Sequence, residues 1–101
     1  MRFLVDVLIP NEPFNTLVLN GTAGATIEKI LGAIKPEAVY FTERHGQRGC
    51  TMVVELAKAS DIPSIAEPFF LALDAEVQLH PTMTPEDLAQ GGLDKIGATW
   101  K

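Results

Sequence analysis

The sequence predicts an α+β fold in which four strands and two helical segments alternate as β-α-β-β-α-β, with a further helix at the C-terminus. Three observations carry this. Residues 38–57 hold two runs rich in β-formers, joined by a polar, glycine-containing turn. On either side lies a segment with apolar residues at helical spacing: Ile27, Ile30, Leu31 and Ile34 before it, and Ile62, Ile65, Ala66, Phe69 and Phe70 after it. Each of those segments is bounded by another strand-like run, residues 3–9 and 75–81. Two βαβ halves at this spacing describe a ferredoxin-like plait, an antiparallel sheet in the order 4-1-3-2 with helices on one face. The 101 residues form one domain, 1–101.

The first strand, residues 3–9, is aliphatic and stops at Pro10. Asn11, Glu12 and Pro13 signal a helix start, with a capping residue followed closely by proline. A short helical piece then ends at Asn20-Gly21, and Thr22 caps a second piece that Pro36 terminates. In the hairpin, Val39 and Phe41 share one face, as do Cys50, Met52 and Val54. The loop is expected over residues 44–48, with Gly46 free to adopt positive φ. Ser60 and Asp61 announce the next helix, which Pro68 should kink or shorten. The fourth strand follows. Thr84-Pro85-Glu86-Asp87 is then a strong helix start: a hydroxyl cap, proline at the first position and acids in the first turn. The tail places Leu93, Ile96 and Trp100 on one side of a further turn.

Composition excludes more than it assigns. A net charge of −5 argues against a nucleic-acid partner or an anionic membrane surface, since both require a basic patch. Cys50 is the only cysteine, so no intrachain disulfide forms, which fits a reducing compartment. Asp6 interrupts the apolar run at the N-terminus, so no signal peptide is expected there. The expected location is cytoplasmic.

Sorting the strands by parity predicts a helix-covered face built on Phe3, Val5, Val7, Val39, Phe41, Cys50, Met52, Val54, Val77 and Leu79. The opposite face carries Leu4, Leu8, Tyr40 and Val53 among polar residues. Exposed apolar surface costs roughly 25 cal/mol per Å², and a large apolar patch marks an interface. The expected partner is a second copy of the chain, the two sheets facing each other as a homodimer.

The pattern Gly49-Cys50-Thr51-Met52-Val53-Val54-Glu55-Leu56, then Ser60-Asp61-Ile62, then Phe69-Phe70 ahead of Ala75-Glu76-Val77, resembles the second half of muconolactone isomerase-like members of the dimeric α/β-barrel superfamily. The arm Pro81-Thr82-Met83-Thr84-Pro85-Glu86-Asp87-Leu88 also resembles this group. The resemblance implies a homodimer with a pocket beside each sheet. Antibiotic-synthesis monooxygenases share the superfamily, so it implies no single chemistry.

Asp6, Gln78 and His80 fall on neighbouring strands of the predicted sheet, on the face opposite the helices, and Tyr40 shares that face. A carboxylate beside an imidazole is a proton-transfer pair. Asp6, Tyr40 and His80 are therefore the candidate catalytic residues. Gln78 and Arg48 are candidate substrate contacts, Arg48 because a guanidinium receives a carboxylate. The plain alternative is a set of polar rim groups hydrogen-bonded across a dimer. Glu43 and His45 have the spacing of a ligand pair, but no third ligand accompanies them and no metal is expected. Cys50 sits in an apolar run and is read as a buried small hydrophobe. No phosphate loop, CxxC pair or Ser-His-Asp order is present, and no organic cofactor is expected. Two functions follow. One is a small cofactor-independent enzyme, isomerase- or monooxygenase-like, acting on a small aromatic or lactone-like molecule. The other is a non-catalytic small-ligand-binding or assembly module.

Overall fold

The computed structural model describes all residues 1–101. Strand β1 (Arg2–Leu8) is followed by helices α1 (Asn11–Leu19) and α2 (Ala23–Ile34), then by the hairpin β2 (Ala38–Arg44) and β3 (Gln47–Glu55). A 3-10 turn (Ala59–Asp61) leads into α3 (Ile62–Leu73), strand β4 (Glu76–Pro81) and two short helices, α4 (Pro85–Ala89) and α5 (Leu93–Thr99). All strand pairs are antiparallel and the order is β2-β3-β1-β4, the 4-1-3-2 plait expected from the spacing of the elements.

Register decides which residues share a face. Val5 pairs with Met52 on one side and Leu79 on the other, and Met52 pairs in turn with Val39. This row faces α2 and α3 and forms the centre of the core, with Phe3, Val7, Cys50 and Val54 beside it. Ile30 of α2 and Ile65, Phe69 and Leu73 of α3 close the core from above. Their spacing is the helical period that selected these segments in the sequence. Phe70 falls off the stripe and remains exposed, because it follows the fully buried Phe69 by one residue and points to another side of the helix.

Several local expectations change. Strand pairing continues through Glu43↔Arg48 and Arg44↔Gln47, so the loop is not residues 44–48 but the two residues His45 and Gly46. Both have positive φ, 54° and 77°, as a type I′ turn requires. Such a turn matches the twist of the strands it joins. The Glu43 carboxylate accepts the Gly46 backbone N–H at 2.7 Å and closes the turn. Thr22 does not cap α2; the Asn20 side chain instead accepts from its N–H and hydroxyl, at 3.1 and 2.6 Å. At the start of α1 the Glu12 carboxylate accepts the Thr16 hydroxyl at 2.7 Å and its backbone N–H at 3.4 Å. Helix α3 runs through Pro68 to Leu73 without being shortened.

The C-terminal arm stands apart. At the expected helix start Thr84 and Asp87 form a capping box, with the two reciprocal bonds at 3.1 and 3.0 Å. Neither α4 nor α5 buries a residue. The molecule measures 60 × 29 × 19 Å with a radius of gyration of 17.2 Å, against roughly 13 Å for a compact chain of this length. No helix is long and apolar enough to cross a membrane.

Candidate functional site

The face of the sheet away from the helices is uncovered. Asp6 lies at its centre, on β1 between Thr51 of β3 and Gln78 of β4. Inner strands are the most rigidly held part of a sheet, so this position fixes a carboxylate well. The Asp6 side chain is 22% exposed. Its Oδ1 accepts from Arg44 Nη2 and from the Thr51 hydroxyl, both at 2.9 Å. Thr51 Oγ1 in turn accepts from Arg44 Nη2 at 3.1 Å, which closes a three-membered network. Oδ2 faces His80 Nε2 at 3.6 Å, within ion-pair range but beyond a direct hydrogen bond. The two oxygens thus differ: Oδ1 is held by a charge-assisted bond, and Oδ2 retains acceptor capacity beside an imidazole.

A cleft of about 110 Å³ opens at this point, lined by Asp6, Val7, Leu8, Arg44, Glu76 and Gln78. It is a place for a few water-sized groups, since one water occupies about 30 Å³ of liquid. Larger hollows exist, of about 630 Å³ between α4 and α5 and about 450 Å³ between α2 and α3. They lack a comparable set of converging charged groups, so the Asp6 cleft is the candidate site despite its size.

The structure brings Asp6, Gln78 and His80 together, because strands one and four pair with Asp6↔Gln78 and Leu4↔His80 in register. Tyr40 is on the same face but beside Thr51, 74% exposed and two strands from Asp6. The Asp6 carboxylate takes its hydrogen bonds from Arg44 and Thr51, and none comes from Tyr40. Arg48 is on the other face. Its guanidinium donates to Asn15 Oδ1 at 2.8 Å and lies 4.9 Å from the centre of the Phe14 ring, which ties β3 to α1. The guanidinium at the site is Arg44 instead. Two features of the sequence point to it: the parity of Tyr40, Thr42 and Arg44, and a His-Gly turn short enough to extend that parity to residue 44.

The other singled-out groups lie elsewhere. Glu43 is engaged in the hairpin turn, and no cluster of three His, Cys, Asp or Glu side chains could hold a metal ion. Cys50 is buried on the helix side, and desolvation, helped by the Asp6 charge, pushes its thiol up to about 11. Trp100 is 83% exposed at the tip of the arm and shares no pocket with Phe69 or Phe70.

No known protein family matches the chain, and no curated protein matches it either. Among solved structures it is similar to 5-chloro-2-hydroxyhydroquinone dehydrochlorinase from Burkholderia phenoliruptrix AC1100, in complex with 2,5-dihydroxybenzoquinone. The TM-score is 0.61 at 16% identity, over 85% of this chain and 97% of that one. A protein from Agrobacterium tumefaciens is similar at a TM-score of 0.40 and 13% identity, over 84% of this chain and 96% of that one. The first likeness shows the fold, a small antiparallel sheet with helices, in keeping with the ferredoxin-like plait.

Proposed function

We propose that this chain is a cofactor-independent enzyme that moves a proton on a small organic molecule, in the manner of an isomerase, and works as a homodimer through its open sheet faces. The observation that carries the reading is the asymmetric environment of Asp6: one oxygen fixed by Arg44 and Thr51, the other open toward His80. In this reading Asp6 Oδ2 and His80 exchange the proton. A carbon–hydrogen bond next to a carbonyl breaks, the electron pair moves onto the carbonyl oxygen as an enolate, and the proton returns at a different carbon. No electron is gained or lost overall. In this reading Arg44 and Gln78, which line the cleft, receive the oxygen that gains charge, and Tyr40 acts at the site of the partner or at the rim. Muconolactone isomerase-like chemistry belongs to this class. The cytoplasm, where a lone free cysteine persists, is its expected location.

The dimer is supported by the open face itself, where Leu4, Leu8 and Val53 are only half-buried and Tyr40 is exposed. The test is proton exchange. Small lactones, cyclic ketones and hydroxylated aromatics are incubated with the protein in deuterated water, and deuterium at carbons next to the carbonyl is followed by NMR. Wild type should catalyse exchange in at least one of them, and Asp6→Asn and His80→Ala should each lower the rate by about 10²-fold or more. Binding without exchange across the whole panel would replace the enzyme with a ligand-binding module.

A further inference from the structure

On the open face each guanidinium already has a carboxylate. Arg44 Nη2 lies 2.9 Å from Asp6 Oδ1, and at the far end of β1 Arg2 Nε lies 2.9 Å from Glu37 Oε1. No lysine lies in a strand. Arg48, the guanidinium expected from the sequence to receive a carboxylate, is held on the other face by Asn15 and Phe14. Glu76 has no such partner. It opens β4, pairs with Leu8 of β1 and shares the parity of Gln78 and His80, which places it in the lining of the same cleft as Asp6. Its carboxylate enters no ion pair. With His80 neutral, the cleft therefore holds two carboxylates, Asp6 and Glu76, against one guanidinium, Arg44.

A substrate carboxylate brought to this floor meets a net negative charge. Like charges at such short range repel even beside water, and more strongly where the protein lowers the dielectric. An uncharged substrate escapes this repulsion, and a hydroxyl or amide N–H on it gives Glu76 the donor it lacks. Asp6 does not set the preference, because Arg44 matches its charge. Arg44 bonds Asp6 and Thr51 through Nη2. Its other N–H groups can still receive a neutral oxygen, or one that gains charge during reaction. We propose that the Asp6 cleft takes uncharged substrates bearing a hydroxyl or amide N–H and turns away carboxylates, with Glu76 as the specificity-determining residue. The proposal rests on the reading of this cleft as the functional site and adds the chemical class of its substrate.

Two probes of nearly the same shape test it: cyclohexanone carrying, opposite its ketone, either a carboxamide or a carboxylate. Each is titrated into isotope-labelled full-length protein at about pH 8, where a free imidazole is neutral. Shifts of the Val7, Leu8 and Gln78 amide signals give the affinity, and deuterium uptake beside the ketone gives the turnover. Wild type should bind the carboxamide about tenfold more tightly than the carboxylate, and added salt should shrink that preference. Glu76→Gln keeps the shape without the charge and should abolish most of the preference; Glu76→Lys should invert it. Glu76 is exposed, so both variants should fold, which the same spectra show. Equal or tighter binding of the carboxylate by wild type overturns the proposal. So does a preference that Glu76→Gln leaves unchanged, or the absence of shifts at these amides with either probe. The expected preference without deuterium uptake leaves the selection standing and overturns the enzyme reading. Uptake from both probes with equal affinity and rate overturns the selection and leaves the enzyme standing.

Discussion

The two faces of this sheet are made by the same strands and have opposite fates. On the covered face, Val5, Val7, Cys50 and Met52 are almost fully buried beneath α2 and α3, with no polar side chain among the buried residues. On the open face, one residue along each strand, Leu4, Asp6, Leu8, Thr51 and Val53 are only half-buried, and Tyr40, Gln78 and His80 are exposed. The covered face holds the monomer together by packing. The open face holds an ion pair, an imidazole and loose aliphatics, a composition suited to a site inside an assembly. The packed core and the candidate site are thus segregated by the two-residue period of the strand.

The sharpest way to break this contrast is to truncate the covered face. Phe69→Ala should cost about 3–5 kcal/mol in urea unfolding, at any protein concentration, because Phe69 is 1% exposed between α3 and the sheet. A loss below about 1 kcal/mol would mean that the core is not where the helices place it. Gly49→Ala is next, at about 1–3 kcal/mol. A Cβ at Gly49 would sit 2.5 Å from the Val7 carbonyl oxygen, where only backbone movement makes room. Tyr40→Ala tests the open face. It should change monomer stability by less than about 0.5 kcal/mol but weaken dimerisation roughly tenfold in sedimentation equilibrium, which is about 1.4 kcal/mol. An unchanged association constant would remove Tyr40 from the interface.

Smaller effects separate the charges. A double-mutant cycle on Asp6 and Arg44 should give a coupling of about 0.5–1 kcal/mol, because Arg44 is half exposed and water screens the pair. The smallest effect at neutral pH concerns Cys50. Burial raises its thiol from 9.0 in the free state to about 11. The folded form therefore favours the protonated thiol, and its contribution is intact below pH 9 and lost as pH rises towards 11. Stability from unfolding curves should decline across that window more in wild type than in Cys50→Ala, and the native thiol should resist alkylation at neutral pH.

The site was partly legible. Asp6, Gln78 and His80 could be assembled from sequence because they depend only on alternation within β1 and β4 and on the adjacency of those strands. Arg44 was hidden by the length of a turn. With a loop over residues 44–48 it has no face at all; with pairing continued to Arg44↔Gln47 it joins the face of Asp6. Arg48, its near neighbour in sequence, has the opposite parity and stacks on Phe14 instead. The missed signal was local: His and Gly are both residues that enter the left-handed region at modest cost.

Alternation of apolar residues in β1 and β3, and helical spacing in α2 and α3, were enough to determine the elements, their order and the covered face. Burying one stripe of each element admits few arrangements at this length. The capping box at Thr84 and Asp87 was equally self-contained, since every bond in it spans three residues. Tertiary structure alone decided the partners of Asp6 and the anchor of the arm. Alternation assigns a side chain to a face, whereas a contact between residues 6 and 44 depends on register across three strands. The anchor of the arm, the Thr82 hydroxyl donating to the Arg2 carbonyl, likewise joins residues 80 apart in the chain.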